Sequence, residues 1–142
     1  MIRNFQESDL DVLMQIWLNA NISAHSFVPE EYWTGHFGQV KELLVQAELY
    51  IYEDDHTGAI RGFIGLMDDY IAGIFVADGS RSQGIGRQLL DYARVRKQHL
   101  SLHVYEKNQR AVGFYLREHF QVKEQRVDAD TGETELVMEW RV

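Results

Sequence analysis

The chain has 142 residues, a length that fits one compact domain. Hydrophobic residues make up 45% of it and aromatic residues 12%, which provides for a core and argues against disorder. There is no cysteine, which excludes disulfides, a thiolate nucleophile and Cys-ligated metal, and the formal net charge of -8 counts against a nucleic-acid binder.

The start, Met-Ile-Arg-Asn-Phe, lacks the basic-then-apolar pattern of a leader peptide. No apolar run approaches the ~20 residues that span a bilayer. A soluble, cytoplasmic protein is therefore expected. Residues 2–5 read as a first strand. Ser8 reads as the N-cap of a helix, with Asp9 and Asp11 in its first turn and Leu10, Leu13, Met14, Trp17 and Leu18 at helical spacing. Pro29, Glu30 and Glu31 open a second helix, with Val40, Leu43, Leu44 and Ala47 on one face.

Strands follow over 49–53, 60–67 and 70–76, separated by Asp54-Asp55-His56-Thr57-Gly58 and Asp68-Asp69. Gly73 inside the third of these predicts a bulge or a close backbone approach. Leu89, Leu90, Ala93 and Val95 then predict a helix ending near His99. A strand over 100–105, a helix over 108–117 and strands over 120–127 and 136–142 complete the chain. The order is β-α-α-β-β-β-α-β-α-β-β. It predicts a mixed, mostly antiparallel central sheet with helices on both faces, with one parallel pair across the crossover from 70 to 105. The C-terminal strand is a candidate exposed edge, able to pair with a second copy, so monomer and homodimer both stay open.

Arg81-Ser82-Gln83-Gly84-Ile85-Gly86 lies between a strand and a helix. Glycines let the backbone approach a ligand, and the helix start offers unpaired N–H groups at the positive end of the dipole. That combination suits phosphate, although a plain strand-to-helix turn would look the same. A Walker loop would need a Lys that is absent, and a dinucleotide fingerprint would need a third glycine. Just past the next strand lies Asn108-Gln109-Arg110-Ala111-Val112-Gly113-Phe114-Tyr115, in which Ala111, Phe114 and Tyr115 are helical neighbours.

Together these segments resemble the two cofactor motifs of the GNAT N-acetyltransferase family. Arg81-x-x-Gly84-x-Gly86 matches the first. Asn108, Ala111, Phe114 and Tyr115 match the second. The resemblance covers essentially the whole chain. Met-Ile-Arg at the start and Val104-Tyr105-Glu106-Lys107-Asn108-Gln109 are similar to small bacterial members, protein-lysine acetylation among them.

The resemblance implies the GNAT fold over residues 1–142 and acetyl transfer from acetyl-CoA to a primary amine; the acidic charge, the lack of an apolar span and the lack of a His-Glu-x-x-His spacing argue against nucleic acid, membrane and metal. By that resemblance, Ile74, Phe75 and Val76 pair with the pantetheine arm. Arg81, Gln83, Gly84, Gly86 and Arg87 hold the pyrophosphate, Asn108 bonds the pantetheine, and Tyr115 protonates the leaving thiolate. An N–H near Phe75 would meet the tetrahedral oxyanion.

Two departures stand out. His119-Phe120 replaces a common Gly-Phe, although His tolerates positive φ better than most residues. No Glu occurs in 70–76, where some relatives carry a base. His103 is the first candidate for that role, ahead of Glu106, Asp69 and His25. His25, Phe27, Tyr32 and Trp33, with Glu30 and Glu31 nearby, are candidates for the acceptor pocket. The missing Glu also motivates an alternative, a non-catalytic acyl-CoA-binding module.

Overall fold

The computed structural model describes residues 1–81 and 83–142; Ser82 of the glycine loop lies outside them. The elements are β1 (Ile2–Asn4), α1 (Leu10–Ala24), α2 (Glu30–Leu44), β2 (Glu48–Glu53), β3 (Ile60–Met67), β4 (Tyr70–Val76), α3 (Ile85–Arg96), β5 (His99–Tyr105), α4 (Gln109–Arg117), β6 (Gln121–Val127) and β7 (Thr134–Arg141). The sheet order is β1-β2-β3-β4-β5-β7-β6. Every pair is antiparallel except β4–β5.

Strand alternation divides the core into two layers. Phe63 of β3 joins Leu13, Met14, Trp17 and Trp33 under α1 and α2. Its neighbours Ile64 and Leu66 join Leu89, Leu90 and Ala93 under α3, where Tyr115 and Phe120 also pack. Helices thus cover both faces, as the patterning predicts.

The feature that positions the site is the join between β4 and β5. Gly65 pairs with Gly73 but Leu66 pairs with Ile71, so Ala72 is an extra residue in β4. A bulge bends its strand. The parallel ladder accordingly holds only Tyr70 opposite Ser101 and Ile71 opposite Leu102. From Ala72 onward the two strands part. The bulge expected from Gly73 is present, and it splits the sheet.

Several expectations are corrected. Ser8 is not the N-cap of α1; it lies in a 3-10 turn over Glu7–Asp9. The carboxylate of Asp9 instead accepts the Gln6 N–H at 2.8 Å and both ends of the Arg3 guanidinium. α3 stops at Arg96, because His99 is already in β5 opposite Arg141. Val95 points outward at 83% exposure, and Leu43 is likewise exposed. The C-terminal strand is not an edge: β7 lies between β5 and β6, and the edges are β1 and β6.

Candidate active site

The split opens a cleft of about 1610 Å³, larger than the roughly 300–1,000 Å³ of ordinary small-molecule pockets. Its β4 wall is Ala72–Val76 and its β5 wall is His103–Tyr105. Ala77 donates its N–H to Arg61 at 2.8 Å, and Phe75 lies opposite Phe63 in the same register. Hydrogen-bonded pairs alternate along an antiparallel ladder, so Phe75 and Ala77 turn their backbone groups toward β3. Ile74 and Val76 therefore turn theirs toward the cleft, where β4 has no ladder partner. Phe75's own N–H faces β3 rather than the cleft.

The two glycines of the loop do different work. Gly84 has φ +77° and is the N-cap of α3, a conformation that disfavours other residues. Gly86 has no positive φ, and an added Cβ would meet only ordinary contacts, Phe114 at 3.8 Å and Ile74 at 3.9 Å. The protein alone does not require glycine at 86. As a glycine, the N-cap brings no side chain of its own to the first amides of α3. Arg81, Arg87, Arg94, Arg110 and Arg117 line this half of the cleft, against Asp91 and Glu118. Guanidinium groups outnumber carboxylates there. Arg81 is held by Asp78 at 3.1 Å, and Arg87 stands 3.8 Å from Glu118 and 3.9 Å from Asp91. Gln83 is exposed and does not line the cleft.

Asn108 is the N-cap of α4, its Oδ1 accepting the Ala111 N–H at 3.3 Å. Tyr115, one α4 face further, lines the cleft although it is 8% exposed. Its hydroxyl bonds no other described residue, and burial, with Tyr70 nearby, pushes its pKa up. His119 has φ +73°, so the turn after α4 survives without glycine.

On the α1–α2 side, His25 and Trp33 line the cleft with Trp17, Asn21 and Tyr105. Phe27 and Tyr32 stand one layer back: Phe27 meets His25 and Tyr105 edge-on, and Tyr32 meets Trp33 edge-on. Trp17, Asn21 and Tyr105 were not singled out in the sequence. Tyr105, three residues before Asn108 and inside the segment similar to small bacterial members, was the one with a local signal. Its hydroxyl donates to Asp128 at 2.6 Å, and burial raises its pKa.

His103 lines the cleft on the polar face of β5. Burial and then the charge of Arg126 lower its pKa, so the imidazole is neutral near pH 7. Arg126 Nη2 lies 2.9 Å from His103 Nδ1, and its Nε bonds Glu135 at 2.9 Å. Glu106 and Asp69 do not line the cleft; Asp69 is paired with His99 at 2.8 Å. Among the described residues, no group of three or more His, Asp or Glu could hold a metal ion, and no helix is long and apolar enough to cross a membrane.

Fold and cleft together describe a split sheet whose long groove is lined by guanidinium groups on the α3–α4 side. The family model for the acetyltransferase (GNAT) domain matches residues 46–122. The peptidyl-lysine N-acetyltransferase YiaC of Escherichia coli is 33% identical over 144 aligned positions, covering 100% of this chain and 97% of that protein. The apo-form structure of YjaB from Escherichia coli superposes with a TM-score of 0.86 at 27% identity, over 99% of this chain and 96% of that one. The fold is also that of yncA from Salmonella typhimurium, solved with its cofactor acetyl-CoA, at a TM-score of 0.68 and 16% identity over 99% and 92% of the two chains. The chain belongs to the GNAT acetyltransferase family. It is an acetyl-CoA-dependent N-acetyltransferase that moves an acetyl group to an amine, and the non-catalytic alternative finds no support.

Proposed function

We propose that the acceptor is a lysine side chain of a protein, and that the thioester lies in the split between β4 and β5 between the Ile74 and Val76 amides and Tyr115. The observation that carries the donor placement is the pair of cleft-facing backbone positions beside a phenol with no partner among the described residues. The pyrophosphate lies on the amides around Gly84, Gly86 and Arg87, with Arg81 at the rim; exposed Gln83 contributes through its backbone. Asn108 bonds the pantetheine. The acceptor class is supported by YiaC and YjaB, both peptidyl-lysine N-acetyltransferases.

The acceptor enters over the face of β5 and β7 that carries His103 and Glu135, passing His25 and Trp33, with Phe27 and Tyr32 supporting that wall. A lysine amine has a pKa near ~10.4, so about one in a thousand is neutral at pH 7. His103 takes the ammonium proton once Arg126 turns from its Nδ1 toward Glu135, which it already pairs. The neutral amine attacks the thioester carbonyl. The oxyanion meets the Ile74 and Val76 amides. The C–S bond breaks and Tyr115 protonates the departing thiolate, while the second proton of the attacking nitrogen, released as the amide forms, returns to the Tyr115 oxygen, leaving the ammonium's first proton on His103 to pass to solvent.

A panel of lysine peptides, α-amino peptides and small diamines, incubated with acetyl-CoA, tests this reading by free-thiol release and mass spectrometry. Acetylation at lysine Nε supports it. Transfer confined to α-amines or diamines overturns the acceptor class.

A further inference from the structure

We infer that His25 is a positioning residue for the acyl donor: its ring fixes the side chain of Asn108 through a hydrogen bond across the cleft.

Asn108 lies 83 residues from His25 in sequence, yet its Nδ2 is 3.2 Å from His25 Nε2. The direction of that bond follows from the rest of the network. The Ala111 backbone N–H, a donor, lies 3.3 Å from the other end of the same amide. Only an oxygen can accept there, so the NH2 group faces His25. An NH2 group donates. His25 Nε2 must then be bare, and the ring is the neutral tautomer with its hydrogen on Nδ1. That Nδ1 is buried with no partner among the described residues.

The ring cannot readily turn away. It stacks on Trp33 at 5.2 Å and 27°, and Tyr105 and Phe27 meet it edge-on at 5.2 and 5.6 Å. Its backbone N–H is held by Asn21 at 3.0 Å. An apolar ring would pack there without stranding a buried N–H, which costs stability. Among the described residues, the one side chain the imidazole bonds is that of Asn108. With Oδ1 engaged by α4 and one N–H by His25, the second N–H of Asn108 is left to donate to a carbonyl in the cleft. This inference rests on the reading that Asn108 bonds the pantetheine.

The test measures the dissociation constant of acetyl-CoA by calorimetry, with kcat followed separately, for His25→Phe, His25→Gln, Asn108→Ala and the His25→Phe/Asn108→Ala pair. Thermal melts confirm that each variant is folded. His25→Phe keeps the packing and removes the acceptor; His25→Gln returns an acceptor near the Nε2 position. The expected result is roughly three- to tenfold weaker acetyl-CoA binding in His25→Phe. Most of the loss should be recovered in His25→Gln, and His25→Phe should add nothing in the Asn108→Ala background. If Asn108→Ala weakens binding and His25→Phe does not, the inference is overturned and the Asn108 reading stands. If Asn108→Ala leaves binding unchanged, the reading beneath it falls as well. A loss in kcat alone, or additive effects in the pair, would also overturn it.

Discussion

The ring of Phe75 lies over the Cα of Gly73: a Cβ added at Gly73 would come within 2.2 Å of Phe75 Cζ. The same ring packs on Phe63 at 5.1 Å, so the two-residue offset ties the bulge to the core under α1. Gly73→Ala must push Phe75 out of that contact. The expected cost is about 1–3 kcal/mol, read by chemical denaturation. Acetyl-CoA binding should weaken too, because Phe75 lies between the two cleft-facing residues.

Gly84 and Gly86 should separate stability from binding. Gly84→Ala places a side chain at φ +77°, for about 1–2 kcal/mol of lost stability. Gly86→Ala finds room in the protein, and a helical Ala in place of Gly gains up to ~1 kcal/mol. Its Cβ would sit where the donor's pyrophosphate approaches. Melts and calorimetry together should show a Gly86→Ala protein at least as stable as the parent that binds acetyl-CoA about tenfold or more weakly.

Tyr115→Phe removes a hydroxyl that bonds no other described residue, so stability should hold. Acetyl-CoA affinity should hold as well. As the general acid, its loss should cut kcat by roughly 10²–10⁴. Burial raises the Tyr115 pKa, so the phenol keeps its proton throughout the neutral and mildly alkaline range. The kcat profile should show no alkaline fall from this group below about pH 10.

The Arg3–Asp9 pair sets an acid limit on stability. Bonding to Arg3 holds the Asp9 carboxyl below its usual range. A depressed acid stabilises the fold above its unfolded value and loses that contribution as pH falls through its folded one. Asp9→Asn should cost about 1–3 kcal/mol at neutral pH. The melting temperatures of parent and variant should converge once the pH drops below the range where Asp9 holds its charge.

The fold, and the gathering of the two motifs along one cleft, were legible because those signals are local. Gly84 and Gly86 sit at a helix start, and Asn108, Ala111 and Tyr115 share one short helix. Each can be read from neighbours a few residues away. Contacts between distant segments left no such trace. Nothing near Asn108 points to His25, and nothing near His103 points to Arg126. The place of β7 inside the sheet depends on a crossover past β6, so a terminal strand read as an edge turned out to be interior. Ser8 has the residue type of an N-cap, but Arg3, brought near by β1, holds Asp9 and sets the turn instead.

The split between β4 and β5 is the centre of this account, and acetyl-CoA titration into ¹⁵N-labelled protein, followed by amide shifts, tests it most directly. The largest changes should fall on Ile74, Val76, Gly86 and Asn108, with the amides of β6 unmoved. Shifts that leave Ile74 and Val76 in place while another face responds would contradict it.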